Sequence, residues 1–402
     1  MSRTTSVTAT EPIRWVEARQ PPTYRPVRPE PLPAGLATVV ARLEYAVGHR
    51  AGSTKRAAPS AGGCYPYELF VSPASATEPV VGHVDLHQRW VTVPSGDQAG
   101  WAGDRFRYYL VGRPWFSVRK YGRRGFLYHL VDAGHAMLNL SLTSGTPDPD
   151  RPADAIAGRL ARRGGALLGF GVLDADDSGR TADGWVLRQA TGPEPQNPLN
   201  DIEEITRGLL PDPPEPLRLA LPPSPARTRL ADAIPTRHSA AAFHGAVAAG
   251  ELAEFVARFV ELCDRIVPEL GVPIPGFQVF SRHPGVGRPL PEKSWLTGAL
   301  LGQSHLTGAS AFVVVHARVE DAPTEALSVG TQRLITASGL VGEIIYLAAS
   351  QAGLGVTGIG GFDPRLWATA CATTEDIIYV LAIGREADGE KFDVTNPNGS
   401  HG

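Results

Sequence analysis

The sequence has little of what builds covalent or metal-based scaffolds. Only three of its 402 residues are cysteines (Cys64, Cys263 and Cys371), and they are too scattered to form a CxxC pair. The eleven histidines show no metal-ligand spacing with them. This usage argues against a disulfide framework and against a zinc site, and it suits a reducing cytoplasm. We therefore predict no metal.

Long apolar runs and an excess of charge of one sign are also missing. No apolar run reaches the roughly 18 residues that a membrane span needs, and residues 1–10 lack the apolar core of a signal peptide. A formal net charge of −3 gives no electrostatic reason to bind nucleic acid or an anionic membrane. With 43% hydrophobic residues the chain can bury a sizeable core. We expect a cytoplasmic globular protein with neither partner.

Proline and glycine are abundant, and they divide the chain. The 36 prolines include dense groups at 193–198 and 210–216, where they oppose helices and central strands and favour extended segments. The predicted organisation is an extended arm at 1–35, a folded half at 36–192, a proline-rich linker at 193–232, a second folded half at 233–388 and a flexible tail at 389–402.

The two predicted halves share an order of elements. Each has a long apolar segment with helical periodicity, a helix-like segment before it and a β-rich run ending in glycine after it. The corresponding pairs are 36–43 with 252–259, 128–140 with 340–352, and 183–192 with 376–384. The shared order indicates an internal duplication.

Two motifs in the first half can bind or transform a ligand. The turn Pro59-Ser60-Ala61-Gly62-Gly63 exposes backbone N–H groups and a hydroxyl without bulky side chains, as a planar ligand requires. It could instead be an ordinary tight connection into a strand at 67–71, with Cys64 as a packing residue. Further on, Lys120 stands beside Tyr121 in a cationic run. Taken alone, that run is typical of a solvated basic strand or loop.

Two motifs in the second half can hold an anion or a backbone turn. Arg237 and Ser239 offer a guanidinium and a hydroxyl to an anion, or they could mark a helix N-terminus with a serine cap. The glycine-rich stretch 353–361 follows a helix and precedes no βαβ unit, so it does not fit a dinucleotide site. His135, on an apolar helix face, is interpreted as a hydrogen-bonded core residue.

Together these motifs resemble the nitroreductase superfamily, and specifically its FMN-dependent azoline (thiazoline and oxazoline) dehydrogenases of modified-peptide biosynthesis. The resemblance implies an α+β fold of two fused nitroreductase-like halves, with central antiparallel sheets flanked by long helices, forming a pseudo-dimer. Members are usually homodimers with FMN between the subunits. Here the first half carries the loop and the second half the Arg-x-Ser motif. One composite FMN site is therefore expected.

The resemblance also assigns roles to individual residues. Lys120, if desolvated and crowded by neighbouring arginines, would remove the substrate proton, and Tyr121 would do so as a phenolate or would orient the substrate. Substrate contacts are implied for Tyr65, Arg123 and Arg124. The implied FMN contacts are Arg56, Pro59, Ser60, Ala61, Gly62, Gly63, Arg237, His238, Ser239, Gly358, Gly360, Gly361 and Arg385.

The implied function is oxidation of peptide azolines to azoles, as in the biosynthesis of thiopeptide-like antibiotics. Three alternatives stay open: an NAD(P)H-dependent nitro or quinone reductase, a peptide α,β-dehydrogenase, and a non-catalytic flavin-bound scaffold subunit of a cyclodehydratase complex. The expected partner is an azoline-containing peptide. The resemblance also admits a cyclodehydratase or another peptide-modifying enzyme as partner, and further homo-oligomerisation.

Overall fold

The fold consists of helices packed on two β-sheets. A computed structural model describes residues 30–50, 53–75, 80–94, 99–122, 124–144, 166–175, 182–190, 216–319 and 328–387. The helices in these ranges are α1 (Ala34–Val47), α2 (Trp115–Tyr121), α3 (Arg124–Thr143), α4 (Pro225–Ala233), α5 (Ala249–Glu269), α6 (Lys293–Ala299), α7 (Val329–Gln351) and α8 (Pro364–Cys371). The strands are β1 (Glu30–Pro31), β2 (Tyr67–Pro73), β3 (Gly82–Asp85), β4 (Trp90–Pro94), β5 (Arg105–Gly112), β6 (Ala166–Asp174), β7 (Val186–Ala190), β8 (Leu217–Arg218), β9 (Gly276–Ser281), β10 (Arg288–Pro289), β11 (Ala311–Ala317), β12 (Gly355–Ile359) and β13 (Asp376–Gly384).

Each half of the chain contributes one sheet. The first sheet has the strand order β1-β7-β4-β3-β2-β5-β6-β8, and the second has β10-β9-β11-β13-β12. The central pairs β2–β5, β5–β6, β9–β11 and β11–β13 are antiparallel. Parallel pairs occur nearer the edges, at β4–β7, β6–β8 and β9–β10. The predicted α+β class with two helix-flanked halves is confirmed.

Helices α3 and α7 pack directly against each other and join the halves. They cross at Gly134 and Gly339: a methyl group added to Gly134 would lie 2.2 Å from the Thr336 carbonyl oxygen, and one added to Gly339 would lie 2.0 Å from that of Val131. Only glycine permits so close an approach of two backbones. Both helices are buried along most of their length, which accounts for the apolar periodicity of their sequences.

The crossing reveals a local two-fold relation between the halves. Its two contacts are reciprocal, because Gly134 corresponds to Gly339 and Val131 to Thr336, each pair 205 positions apart (339 − 134 and 336 − 131). Strand β13, which pairs with β11, corresponds to β6, which pairs with β5. The predicted equivalence of 183–192 with 376–384 is therefore wrong, because β7 lies on the far side of its sheet beside β4. Both segments are β-rich, and sequence alone does not show which neighbour each strand has.

Regular structure also extends into the predicted arm and linker. Strand β1 pairs with β7, and α1 begins at Ala34, before residue 36. Within the linker prediction, β8 pairs with β6, and α4 begins at Pro225 after the N-cap Ser224. Proline is compatible with a first helical turn, since its missing N–H would have no intrahelical partner there. Residues 1–29 of the arm, residues 193–215 of the linker and the tail lie outside the described residues.

Helix α7 is long and apolar enough to cross a membrane by length and composition, with a mean hydropathy of 1.3 in its most apolar window. However, 83% of that window is buried inside the protein. The core that it forms against α3 and the second sheet accounts for its hydropathy.

Candidate active site

The loop 59–63 is held in place by a carboxylate of helix α3. Ser60 Oγ donates to Asp132 Oδ2 at 2.6 Å and accepts from the Tyr65 amide at 2.8 Å, while the Ala61 amide donates to the same carboxylate at 3.1 Å. Gly62 and Gly63 both have positive φ (57° and 66°), a conformation that favours glycine. The two glycines thus allow the chain to turn, while Ser60 and Ala61 hold the loop to Asp132 of α3.

Asp132 is buried, with 3% of its surface exposed. Burial raises its pKa to about 7, and the hydrogen bonds from Ser60 and Ala61 offset only part of that effect. The loop anchor is therefore a carboxyl group that changes its charge near neutral pH.

Lys120 and Tyr121 lie against this loop. They form the C-terminal end of α2, which is followed by Gly122 (φ 59°), so residues 119–121 are helical rather than part of a strand or loop. Lys120 Nζ donates to the Gly62 carbonyl oxygen at 3.0 Å, and a methyl group added to Gly62 would lie 2.2 Å from the Tyr121 hydroxyl oxygen. The predicted base and the predicted ligand loop are thus in contact. The desolvation expected for Lys120 is not found, because its side chain is exposed at the end of a short surface helix.

The environment of Tyr121 decides between its two predicted roles. Burial, followed by the nearby Cys64 and Asp132, raises the pKa of Tyr121 to about 12. The phenol therefore keeps its proton at neutral pH and can donate a hydrogen bond. This favours an orienting role for Tyr121 and disfavours the phenolate role.

Residues at the start of helix α3 connect Tyr121 to the second half of the chain. The Tyr121 and Tyr128 rings meet edge to face at 5.0 Å, and Tyr128 donates a hydrogen bond to the Gly360 carbonyl. Arg124 donates to the Phe362 carbonyl at 3.2 Å and lies 4.1 Å over its ring. The glycine-rich residues 358–361, which are the end of β12 and the bend after it and are called the turn 358–361 below, are thereby joined to the first half. Arg123 lies outside the described residues.

Three arginines converge at the other end of the region. Arg237, 3% exposed, donates to the Ala57 carbonyl at 2.6 Å and to that of Arg56 at 3.3 Å. Burial and the charge of Arg237 lower the pKa of Arg50 to about 10. Within the described residues, buried guanidinium atoms of all three have no hydrogen-bond partner: Arg50 Nε and Nη2, Arg56 Nε, and Arg237 Nη1.

Arg237 is buried as a whole residue, and Arg50 and Arg56 are half-buried. Desolvated guanidinium donors without a hydrogen-bond partner favour an anionic ligand. The cluster draws Arg50 and Arg56 from the first half and Arg237 from the second. We call it the arginine cluster. Tyr65 links it to the loop, since its hydroxyl accepts from the Arg56 amide at 2.8 Å and its ring lies 4.6 Å from the Arg56 guanidinium.

A buried polar network lies behind the arginine cluster. His135 Nδ1 lies 2.9 Å from Glu343 Oε2, and its Nε2 lies 3.2 Å from the Tyr379 hydroxyl. Burial lowers the pKa of His135, although Glu343 opposes the shift. The prediction of a hydrogen-bonded core histidine is confirmed.

The polar residues at the helix crossing are distributed asymmetrically. Under the 205-residue relation, Asp132, His135, Glu343 and Tyr346 correspond to Ala337, Leu340, Leu138 and Ser141. The first three counterparts are apolar and fully buried, and Ser141 is bonded to the carbonyl of Met137 on its own helix. At these four pairs of positions, the side of the crossing that faces the loop and the arginine cluster is polar, and the opposite side is largely apolar.

Comparison with known proteins identifies the fold. Residues 246–385 match the model of the Nitroreductase family. The match lies within the C-terminal half of the chain. Across 92% of the chain, the structure superimposes on 95% of a protein from Anabaena variabilis designated a nitroreductase, at 16% identity and a TM-score of 0.62. That likeness shows that the two-half fold extends beyond the family match.

Two shorter structures superimpose on about two fifths of the chain. A nitroreductase-like protein from Bacillus cereus covers 44% of this chain with 95% of its own, at 17% identity and a TM-score of 0.30. A nitroreductase from Exiguobacterium sibiricum, solved in complex with FMN, covers 40% with 90% of its own, at 15% identity and a TM-score of 0.30. No curated protein matched the chain.

Nitroreductase-family proteins typically bind FMN, and the residues here fit that group. The unpartnered buried guanidinium atoms supply donors for a phosphate. The absence of a side chain at Gly62 lets the loop lie directly against Lys120 and Tyr121, and a methyl group added to Gly63 would meet only Tyr65 at 4.0 Å, so the loop presents an open surface at Gly63.

The structure brings most of the predicted site residues of this nitroreductase-like protein together. Lys120 and Tyr121 lie against loop 59–63, and the Tyr65 amide donates to Ser60 of the same loop. Tyr121 contacts Tyr128, which donates to the Gly360 carbonyl, and Arg124 donates to the Phe362 carbonyl next to Gly361. The Arg56 carbonyl accepts from Arg237. Ser239 Oγ lies 3.1 Å from the Tyr346 hydroxyl, which accepts from the Gly358 amide at 2.6 Å. Arg237 and Ser239 follow the C-terminus of α4, so the helix N-terminus interpretation is wrong.

Two predicted FMN contacts have other partners. Exposed Arg385 binds Glu251 at 2.6 Å and the Gly353 carbonyl at 3.1 Å. Exposed His238 binds Glu386. Their predicted roles stay predictions.

Sequence reasoning missed several residues of the site. Asp132, Tyr128, Glu343 and Tyr346 are polar residues inside apolar helical segments, a signal that could have found them. Arg50 carried no such signal. Nowhere in the described ranges do three His, Cys, Asp or Glu side chains lie close enough to hold a metal ion.

Proposed function

We propose that this protein is an FMN-dependent azoline dehydrogenase that oxidises thiazoline or oxazoline rings of a peptide to azoles. The main observation behind this proposal is that Lys120 and Tyr121 contact the loop at Gly62, with Lys120 Nζ 3.0 Å from the Gly62 carbonyl oxygen. It supports a proton acceptor beside the ligand loop, which this oxidation needs.

The reaction defines what each group has to do. Aromatising an azoline removes a proton and a hydride equivalent from adjacent ring atoms. Bound FMN would supply the two-electron acceptor. Lys120, once it has given up its own proton, would take the substrate proton onto Nζ, and Tyr121, which keeps its own proton, would donate a hydrogen bond to orient the substrate.

The remaining residues would bind and position. Arg50, Arg56 and Arg237 would hold the FMN phosphate, and loop 59–63 with the turn 358–361 would flank its ring. The polar asymmetry of the α3–α7 crossing supports a single composite site per chain. A cytoplasmic location and an encounter with a cyclodehydratase on the same peptide belong to the same proposal.

The test uses FMN-loaded protein and an azoline peptide, followed by mass spectrometry for the loss of two hydrogens. Lys120→Ala should reduce turnover by roughly 10²- to 10⁴-fold, the usual contribution of a positioned base. It should retain FMN, which dithionite should still reduce and air reoxidise. The control is Arg265→Ala, which removes an exposed cation paired with Glu261 on α5 and should leave turnover near the wild-type rate.

Three results would contradict the proposal. Full activity in Lys120→Ala would show that Lys120 is not the base. Reduction of nitro compounds or quinones by NADPH without any azoline oxidation would indicate a reductase. Stimulation of a cyclodehydratase by an inactive, flavin-loaded protein would indicate a scaffold.

A further inference from the structure

Leu301 combines two unfavourable features. Its side chain is 61% exposed, and no other large hydrophobic residue of the described ranges is classed as exposed. Its backbone has φ 49°, in the left-handed region that leucine rarely adopts. Such outliers persist where the surrounding structure or the function requires them.

The outlier lies at the end of helix α6. The Leu301 amide donates to the Gly298 carbonyl at 3.0 Å and the Gly302 amide to that of Thr297 at 2.8 Å, which is a Schellman motif with Leu301 at its left-handed position. Glycine is the usual residue there. In this chain Gly353 takes that position at the end of α7, and Ala372 takes it at the end of α8.

The position of Leu301 places it at the rim of the candidate site. A methyl group added to Gly361 would lie 3.9 Å from Leu301 Cδ1. Gln303 fixes the approach by donating to the carbonyls of Gly361 at 2.6 Å and Leu300 at 2.9 Å. Gly361 lies between Gly360, the acceptor of the Tyr128 hydroxyl, and Phe362, which lies under Arg124.

We propose that Leu301 is a specificity-determining residue that contacts an apolar side chain of the peptide next to the reacting ring. The inference rests on the proposed function. An exposed isobutyl group gains stability when an apolar substrate group covers it, since apolar area is then removed from water. Retention of leucine where glycine or alanine suffices in the other helices follows from that contact.

The experiment measures binding by calorimetry to FMN-loaded protein. The probes are two thiazole peptides that differ only in having leucine or serine next to the ring. Wild-type protein should prefer the leucine peptide by about 5- to 10-fold, which corresponds to partial burial of one leucine side chain. Leu301→Asn and Leu301→Gly, both compatible with positive φ, should lose that preference without weaker binding of the serine peptide.

Two further variants separate contact from fold. Leu301→Met should keep the preference, because it retains an apolar side chain of similar volume. Ala372→Gly should also keep the preference for the leucine peptide. Both Ala372→Gly and Leu301→Gly should raise the melting temperature, since each replaces a left-handed non-glycine residue at the same kind of helix end.

The outcomes are distinguishable. If wild-type protein binds both peptides equally, or if Leu301→Asn keeps the preference, the inference on Leu301 is overturned and the proposed function stands. If wild-type protein binds neither peptide, the proposed function fails and this inference fails with it.

Discussion

At the scale of single residues, the site depends on groups whose protonation is set by burial. Asp132 is the clearest case, since its carboxylate anchors Ser60 and Ala61 while burial raises its pKa from 3.8 to about 7. Folding therefore favours the protonated acid. The stabilising contribution of that proton is complete below about pH 4 and is lost as the pH rises through 7.

We predict that Asp132→Asn removes a pH dependence of stability. Wild-type protein should lose up to about 4 kcal/mol of unfolding free energy between pH 4 and pH 8 from this group, at about 1.4 kcal/mol per pKa unit. Urea unfolding at both pH values measures the difference. Asp232→Asn, on the exposed side of α4, is the control and should leave the dependence unchanged. If the unfolding free energy of Asp132→Asn changed with pH as much as that of the wild-type protein, another group would be responsible for the pH dependence.

A second residue-scale prediction concerns Tyr121. Because its pKa is raised to about 12, the phenol stays protonated between pH 6 and 10. Tyr121→Phe should lower azoline turnover by roughly ten-fold, the value of one lost hydrogen bond, without altering the shape of the pH–rate profile in that range. Loss of the basic limb in the variant would instead assign that limb to the phenol.

At the scale of elements, the sequence was a good guide to helices and a poor one to their neighbours. The apolar periodicity of 128–140 and 340–352 correctly predicts the central helices, because burial against a core produces that pattern. Their crossing at Gly134 and Gly339 depends on two backbones meeting, which neither periodicity shows. The same limit explains the wrong pairing of 183–192 with 376–384, since strand order depends on contacts distant in sequence.

The crossing predicts opposite effects for two glycines of one helix. Gly339→Ala would place a methyl group 2.0 Å from the Val131 carbonyl oxygen, so α3 and α7 must separate. We expect a loss of at least about 2 kcal/mol and weaker FMN retention. Gly330→Ala, whose methyl would meet only Ser328 Oγ at 3.8 Å, should be neutral or stabilising by up to about 1 kcal/mol. Equal denaturation midpoints in urea would contradict the close approach.

At the scale of the whole molecule, the candidate site draws its residues from both halves. The loop with Lys120 comes from the first half, and Arg237 with the turn 358–361 comes from the second. The sequence indicated this division by the motifs that each half lacks. The sequence did not predict Asp132, Glu343 and Tyr346 as site residues. Their counterparts in the other half are Ala337, Leu138 and Ser141, which supply no equivalent charge or phenol. This difference becomes visible only through the two-fold relation of the structure.

This division predicts the cofactor count. The purified protein should hold one FMN per chain, measured as flavin absorbance against protein after denaturation. Arg237→Ala should weaken FMN binding by roughly ten- to more than a hundred-fold, since a charge-assisted contact to phosphate contributes about 1.5 to 3 kcal/mol. Arg265→Ala, which removes an exposed arginine paired with Glu261 at 2.7 Å on α5, should retain FMN fully. Two FMN per chain would mean that the opposite side of the crossing also binds the flavin, despite its largely apolar residues, and the composite site would be refuted.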